Sequence, residues 1–339
     1  MAPTTGAAAR AADALIESTV VMSFTNLGHG LRQQLLGWRN EPERRLDGKT
    51  AAITGATSGV GLAAATELAR RGASVHLLVR DPERGRRSAA NIVAATGNED
   101  VTVEVADLAS LPSVRAAAAA LAARVERLDV LVHNAGLLTP ARETTDDGLE
   151  RMFATHVAGP FLLQALLAGD PVAGGDAAGS DAPPLLRAGS RVIWVSSGGM
   201  YAEPLHLDDL QRHDVRFDGT RVYAHTKRAQ VALARAWAER LAGDGVVVHA
   251  MHPGWADTPG VADALPTFHR VMGPWLRTPG EGADTIVWLA SADEPGTCSG
   301  MFWHDRRPRP PDRLPWTRVS DDERRRLFDQ VAALVAPAD

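Results

Sequence analysis

Residues 49–61 decide the fold, and they read Lys49-Thr-Ala-Ala-Ile-Thr-Gly-Ala-Thr-Ser-Gly-Val-Gly61. The apolar residues 51–53 predict a short strand, and residues 60–71 carry apolar side chains at helical spacing. Glycines in the connecting turn allow close approach of a ligand, and a helix N-terminus favours an anion. This order of strand, turn and helix predicts a pyrophosphate site, with a tight turn that binds nothing as the alternative. The turn residues proposed to bind are Gly55, Thr57, Ser58, Gly59, Val60 and Gly61.

From residue 46 onward, short apolar runs alternate with amphipathic helical patterns. This alternation predicts an α/β fold with a parallel sheet covered by helices on both faces. Strands are expected at 49–54, 74–80, 100–105, 129–133, 190–196, 246–251 and 300–304. Helices are expected at 60–71, 82–96, 110–127, 148–167, 222–243 and 281–292. Ligands of such sheets bind at the carboxyl ends of the strands, near the topological switch point.

The domain organisation follows from the places where this rhythm stops. Residues 1–45 form an N-terminal extension that we expect to be partly disordered or amphipathic, and residues 46–305 are expected to form one dinucleotide-binding domain. Within that domain, residues 168–184 are rich in glycine, proline and aspartate and predict a flexible insertion. Residues 306–339 form a C-terminal tail with a terminal helix.

Residues 13–38 of the extension carry apolar side chains at loosely helical spacing. They could lie on a membrane surface or cover a substrate pocket, or they could pack against the main domain or a dimer partner. Packing is favoured, because the polar face lacks the lysine and arginine cluster typical of membrane-surface helices. Peripheral membrane contact through this region stays open as the alternative.

Bulk composition narrows the function classes. The net charge of −5 and the pI near 6.1 give no reason to expect nucleic-acid binding. The chain has one cysteine, which fits a reducing compartment, so we expect a cytoplasmic location. No apolar run is long enough to span a membrane, and the histidines show no metal-ligand spacing, so no metal site is expected.

Tyr223 and Lys227 are four residues apart and therefore share one face of a predicted helix. A nearby ammonium stabilises a phenolate and lowers the pKa of the tyrosine, which suits acid–base catalysis at neutral pH. Upstream, Arg-Val-Ile-Trp-Val-Ser-Ser-Gly-Gly predicts a strand with Ser197 at its carboxyl end. A serine hydroxyl there can hydrogen-bond a substrate carbonyl. Alone, the tyrosine–lysine spacing is more typical of a surface pair; its setting is what favours catalysis.

These motifs occur in the order found in the short-chain dehydrogenase/reductase family, which the chain resembles. They are Thr54-Gly-x-x-x-Gly59-x-Gly61, Asn134-Ala135-Gly136, Ser197, Tyr223-x-x-x-Lys227 and Pro253-Gly254. Longer stretches, such as Met251-His-Pro-Gly-Trp-Ala-Asp-Thr-Pro-Gly-Val, resemble the branch called dehydrogenase/reductase family member 12. The resemblance implies a single-domain Rossmann-type doubly wound parallel sheet of about seven strands and a nicotinamide cofactor.

The resemblance also implies roles for individual residues. Tyr223 would exchange the proton, Lys227 would hold the nicotinamide ribose and tune the tyrosine, and Ser197 would position the carbonyl. The family's proton relay usually includes an asparagine where this chain has His156, which could shuttle protons or could be a packed helix residue. Further cofactor contacts are implied at Asp107, Leu108, Asn134, Ala135, Gly136, Pro253, Gly254 and Thr258. In the family, the helices that correspond to residues 148–167 and to the region around Tyr223 often form the dimer interface. The resemblance therefore leaves a homo-oligomer as an open alternative.

The choice between NADP(H) and NAD(H) depends on the end of the second strand. A carboxylate there would bond the ribose 2′-hydroxyl of NAD, but this chain has Val79 followed by Arg80. Arg80 can pair with the 2′-phosphate of NADP, so NADP(H) is favoured over NAD(H). The alternative is a solvated pair between Arg80 and Asp81.

These observations predict an NADP(H)-dependent oxidoreductase acting on a carbonyl or alcohol. In the family, residues 255–276 would form a substrate lid, and their apolar character favours a lipophilic substrate. Ordinary packing of a loop is the alternative for any single lid residue. The alternative function is a non-catalytic NADP-binding regulator or scaffold with the same fold, for which Ser197, Tyr223 and Lys227 would have no joint purpose.

Overall fold

The computed structural model describes residues 7–38, 43–174, 183–213 and 216–337. An eight-stranded sheet runs in the order β3-β2-β1-β4-β5-β6-β7-β8. Its strands are β1 Thr50–Thr54, β2 Ser74–Val79, β3 Val101–Val105, β4 Val130–His133, β5 Arg191–Val195, β6 Val247–Met251, β7 Phe302–His304 and β8 Arg307–Pro308. The doubly wound α/β fold is confirmed.

The sheet differs from the expected seven strands by the two-residue β8, which pairs antiparallel with β7. Asp305 and Arg306 form the turn between them and have φ angles of 50° and 54°. Positive φ at both central residues is the geometry of the tightest hairpins, and it is usually supplied by glycine or asparagine. The sequence Asp-Arg carries no such signal, so the hairpin could not be anticipated.

The helices surround the sheet at positions close to those expected. They are α1 Ala7–Ser18, α2 Val20–Phe24, α3 Asn26–Leu35, α4 Gly59–Arg70, α5 Pro82–Thr96, α6 Leu111–Ala122, α7 Arg151–Phe153, α8 Gly159–Leu167, α9 Gly219–Arg240, α10 Pro259–Ala264, α11 Pro266–Met272, α12 Pro279–Ser291, α13 Asp293–Gly296 and α14 Asp321–Val335. One core includes side chains of α4 and α12, and the other includes side chains of α6, α8 and α9. Among the described residues no helix is long and apolar enough to cross a membrane.

Strand β1 lies between β2 and β4, and all three run parallel. The chain therefore winds outward in one direction through β2 and β3, then returns to the other side of β1 for β4. This reversal is the topological switch point, where open α/β sheets leave a crevice at the carboxyl ends of their strands. The glycine-rich turn directly follows β1, so the fold puts it at the crevice.

Helices α1 to α3 make up the N-terminal segment (residues 7–38), which packs against the main domain as favoured. Disorder was expected in part of the extension; residues 7–12 belong to α1, and residues 1–6 lie outside the described part of the chain. The segment is attached through buried charges. Arg32, fully buried, donates to Asp305 at 2.6 Å and to Asp13 at 2.8 Å. Arg277 also contacts Asp305, at 2.6 Å, so one carboxylate joins two guanidinium groups.

The outer face of the N-terminal segment is apolar. Glu17 pairs with Arg32, so the segment's acidic and basic groups near α3 face inward. Large apolar side chains remain exposed at Leu15, Val20, Val21, Met22, Leu27, Leu31 and Leu35. Contact of this face with a membrane surface stays a prediction.

Two other regions lie outside the alternation of strands and helices that was predicted. In the expected insertion, residues 171–173 form a short 3₁₀ turn and Asp170 pairs with Arg240, whereas residues 175–182 lie outside the described part of the chain. The predicted terminal helix is α14, which begins with the Ser320–Glu323 capping box. Its Phe328 packs on Phe161 of α8 and Trp237 of α9 with ring centroids 4.8 and 4.9 Å apart.

Candidate active site

A cavity of about 700 Å³ opens where β1, β2, β4 and β5 end. Except for His156, the side chains and backbone of every predicted site residue line it. These residues are Gly55, Thr57, Ser58, Gly59, Val60, Gly61, Arg80, Asp107, Leu108, Asn134, Ala135, Gly136, Ser197, Tyr223, Lys227, Pro253, Gly254 and Thr258. Residues distant in sequence thus meet because parallel strands end at one edge of the sheet.

The glycine-rich turn has no room for side chains. Gly55 has φ +69°, and a Cβ there would lie 2.7 Å from Cα of Ala135. A Cβ on Gly61 would lie 2.3 Å from Nδ2 of Asn134. The Ser58 side chain makes no capping bond to α4, so the first N–H groups of that helix are not capped by it. The cradle therefore fits the pyrophosphate of a dinucleotide, which these N–H groups would bind.

Asn134 ties the end of β4 to this turn. Its Nδ2 donates to the carbonyl oxygens of Thr54 at 3.0 Å and Gly55 at 3.3 Å. The backbone N–H groups of Asn134 and Ala135 both donate to Oγ1 of Thr54. The Asn134 side chain thus holds the shape of the cradle through its protein contacts.

Arg80 is exposed at the cavity edge, directly after β2. Asp81 does not neutralise it, because the Asp81 carboxylate accepts the N–H groups of Glu83 and Arg84 as the cap of α5. A second guanidinium, that of Arg84, also lines the cavity. Sequence reasoning missed Arg84, which lies in the first turn of α5 just after the end of β2.

Tyr223, half-buried at the cavity, lies on α9 with Lys227 one turn further on. The Lys227 Nζ is 5.5 Å from the Tyr223 ring centroid and donates to the carbonyl oxygen of Val195 at 3.1 Å. Burial raises the pKa of Tyr223, and a hydrogen bond with Ser197 acts in the opposite direction. Burial also lowers the pKa of Lys227 to about 7. A lowered tyrosine pKa was expected from Lys227, whereas burial raises the pKa of Tyr223 in this structure.

His156 lies behind this pair, in a π-helical turn (Ala154–Ala158) between α7 and α8. Its Nε2 accepts the N–H of Leu137 at 2.9 Å, and its Nδ1 is 2.8 Å from Oγ1 of Thr226. The Thr226 hydroxyl donates to the Tyr223 carbonyl oxygen, so Nδ1 of His156 carries the proton and donates. Burial and the Lys227 charge hold the pKa of His156 well below its usual range. The ring is therefore a neutral imidazole with both nitrogens engaged.

Comparisons with known proteins agree with this geometry. Residues 49–174 match a family model described as short chain dehydrogenase, and residues 209–305 match one described as Enoyl-(Acyl carrier protein) reductase. Dehydrogenase/reductase SDR family member 12 from Bos taurus is 40% identical over 281 residues, which cover 82% of this chain and 83% of the relative. The chain belongs to the short-chain dehydrogenase/reductase family.

Other members of the short-chain dehydrogenase/reductase family extend the comparison. Retinol dehydrogenase 13 from Homo sapiens is 34% identical over 316 residues, with 90% of each chain covered. A solved dehydrogenase/reductase from Sinorhizobium meliloti 1021 has 26% identity and a TM-score of 0.58, covering 76% of this chain and 93% of that one. The resemblance to the member 12 branch is confirmed.

The cavity of this short-chain dehydrogenase/reductase has both apolar and charged lining. Helices α10 and α11, in the stretch expected to form a substrate lid, contribute the apolar side chains of Val261, Leu265 and Phe268. Glu203 and Arg221 also line the cavity and form an ion pair at 3.3 Å. Sequence reasoning missed this pair, because its members belong to no motif. No cluster of metal-ligating side chains is found in the part of the chain that the structure describes.

Proposed function

We propose that this protein is an NADP(H)-dependent oxidoreductase that interconverts a lipophilic carbonyl compound and its alcohol. The observation that carries the proposal is the convergence of Ser197, Tyr223 and Lys227 on the cavity that also contains the glycine cradle. A nicotinamide dinucleotide held in that cradle would supply or accept the hydride. The proposal is tested by mixing the protein with NADPH and a panel of ketones, aldehydes and quinones. Reduction of a compound is followed as a loss of nicotinamide absorbance.

The protein's own residues would handle the proton and the carbonyl oxygen. Tyr223, with its raised pKa, keeps its phenolic proton at neutral pH and can donate it to the oxygen as that oxygen gains charge. Ser197, which lines the same cavity, would hold the same oxygen from a second direction. In alcohol oxidation Tyr223 would accept the proton instead, which becomes easier as the pH rises.

The apolar wall of the substrate lid supports a lipophilic substrate. Its helices lack buried side chains of their own, so their apolar residues remain free to meet a ligand. A relative named retinol dehydrogenase is consistent with that class of substrate. The alternative, a regulator or scaffold that binds NADP without catalysis, predicts tight NADPH binding and no turnover of any compound in the panel.

Arg80 and Arg84 support the preference for NADP(H). Arg80→Ala is expected to weaken NADPH binding about 10- to 100-fold, since a charge-assisted hydrogen bond contributes about 1.5–3 kcal/mol. NADH, which lacks the 2′-phosphate, should lose little affinity. Fluorescence titration with both dinucleotides measures this, and Arg87→Ala, exposed on α5 but absent from the cavity wall, is the matched control. Equal losses for NADPH and NADH would contradict the assignment.

We propose that His156 positions the site and does not relay protons. Its ring holds the Leu137 N–H and the Thr226 hydroxyl, which borders Tyr223. His156→Ala is therefore expected to lower kcat about tenfold while leaving the shape of the pH–rate profile unchanged, because the imidazole stays neutral throughout. Loss of an ionisation from that profile would instead support the relay.

The remaining partner expectations stay predictions. The helices α8 and α9 that would form a family-type dimer interface are covered here by α14, so a homo-oligomer would require another face or the release of α14. A small-molecule substrate fits the cavity, and a cytoplasmic location stays an expectation from the single cysteine.

A further inference from the structure

We infer that residues 23–26 of the N-terminal segment hold the base of the substrate lid, which makes Phe24 a positioning residue for substrate binding. The segment lies outside the stretches matched by the family models, which begin at residue 49. Four sets of contacts assign it this role. The kinetic part of the inference rests on the proposed oxidoreductase function, whereas the structural part does not.

The first observation is a pair of hydrogen bonds to backbone carbonyl oxygens that join the segment and the lid. The N–H of Trp255 donates to the Phe24 carbonyl oxygen at 2.8 Å. Asn26 Nδ2 donates to the carbonyl oxygen of Pro274 at 3.2 Å. The segment therefore bonds the lid near its beginning and near its end.

Arg277, directly after the lid, forms hydrogen bonds with the backbone of the same part of the N-terminal segment. Its guanidinium donates to the carbonyl oxygens of Ser23 at 2.8 Å and Phe24 at 3.1 Å. Its own N–H donates to the Trp255 carbonyl oxygen, and its carbonyl oxygen accepts from Asp257. The two ends of the lid are thus paired with each other, and the pair is fastened to residues 23–24.

Aromatic contacts carry this support to the cavity. Phe24 is 2% exposed, and its ring meets Trp255 edge-on at 5.7 Å. Trp255 in turn meets Phe268 at 5.2 Å, and both line the cavity. The Phe24 ring also lies against Gly198, where a Cβ would be 2.4 Å from its Cε2. One side chain therefore braces both the lid wall and the backbone next to Ser197.

The N-terminal segment is itself held firmly enough to support the lid. Buried Arg32 joins it to Asp305, and Arg277 shares that carboxylate at 2.6 Å. A charge pair of this burial cannot be opened cheaply, because each separated charge would be left without a partner. The lid helices, by comparison, have no buried residues. We therefore expect the lid helices to move more easily than residues 23–26, which stay fixed to the main domain.

The test compares Phe24→Ala with Phe24→Leu and with Leu27→Ala, an exposed position on the same segment. Hydrogen–deuterium exchange of peptides from residues 258–275 should become about tenfold faster in Phe24→Ala, whereas peptides from residues 50–61 stay unchanged. The KM for nonanal, used as a lipophilic probe, should rise about tenfold with NADPH affinity within twofold. Phe24→Leu should recover part of both effects, and Leu27→Ala should show neither.

Unchanged exchange in the lid would overturn the inference, as would faster exchange with an unaltered KM. If the unchanged protein reduces no carbonyl probe, the proposed function fails, and the exchange result alone decides the inference. If Phe24→Ala does not fold, Asn26→Ala removes only the contact to Pro274 and should still accelerate exchange at the lid's C-terminal end.

Discussion

Tyr223→Phe is expected to lower kcat for carbonyl reduction by about 100- to 10,000-fold, the usual contribution of a positioned general acid. The substitution removes the phenolic oxygen and keeps the ring, so its edge-on contact with His156, at 5.5 Å between centroids, should survive. NADPH affinity should stay within about twofold. Steady-state kinetics and fluorescence titration with NADPH measure the two quantities on the same preparation.

The chain provides a matched control, because it contains only two tyrosines. Tyr201→Phe also removes a phenolic oxygen, from a buried position that is not part of the cavity wall. It should leave kcat nearly unchanged. In that variant Tyr223 is the remaining tyrosine, so its ionisation can be followed by ultraviolet absorbance, and its pKa is expected above the ordinary value of 10. Full activity of Tyr223→Phe would rule out the proposed acid.

Asp305→Asn is expected to lower the free energy of unfolding by about 3–5 kcal/mol, the typical cost of breaking a buried ion pair from one side. Asp305 is 1% exposed and contacts Arg32 and Arg277, with His29 at 3.4 Å and His304 at 3.5 Å. Asparagine keeps the size of the side chain and tolerates the positive φ of this turn. The decrease in the free energy of unfolding would therefore come from the loss of the carboxylate charge. Denaturant unfolding of both proteins measures this decrease.

The pH dependence of this loss has a definite sign. Burial alone would raise the pKa of Asp305, but the charge of Arg277 holds it well below 3.8. A depressed pKa contributes stability above the unfolded value and loses it as the pH falls through the folded value. The difference between the unchanged protein and Asp305→Asn should thus be constant near neutral pH and shrink below about pH 4.

The control is Asp293→Asn, whose carboxylate is 87% exposed in its pair with Arg44. Water screens exposed ion pairs, which therefore contribute little to stability, so this variant should unfold nearly as the unchanged protein does. Similar decreases in the free energy of unfolding for Asp305→Asn and Asp293→Asn would show that the buried cluster stabilises the protein no more than an exposed ion pair does.

Sequence predicted the parts of the site that depend on local pattern. The turn after β1 and the Tyr223–Lys227 pair are encoded within a few residues each, and strand–helix alternation brings them to one sheet edge. Capping boxes are equally local features, and those at Thr278–Glu281 and Ser320–Glu323 are both formed. Such features need no knowledge of which distant elements touch.

The remainder depends on contacts that no local pattern records. Ser23 and Arg277 are bonded across 254 positions, so the base of the lid was invisible in the sequence. The pKa of Tyr223 was misjudged for the same reason, since burial depends on the whole fold and only the neighbouring ammonium could be read.

The contact between residues 13–32 and residues 305–309 also constrains the order of folding during synthesis. Arg32 pairs with Asp305 across 273 residues, and Asp13 pairs with Arg309 across 296. A ribosome makes residues 13–32 long before these partners, so the N-terminal segment must wait while the sheet assembles. Its charges, buried in the folded protein, would be hydrated during that wait, and its full attachment becomes a late step of folding.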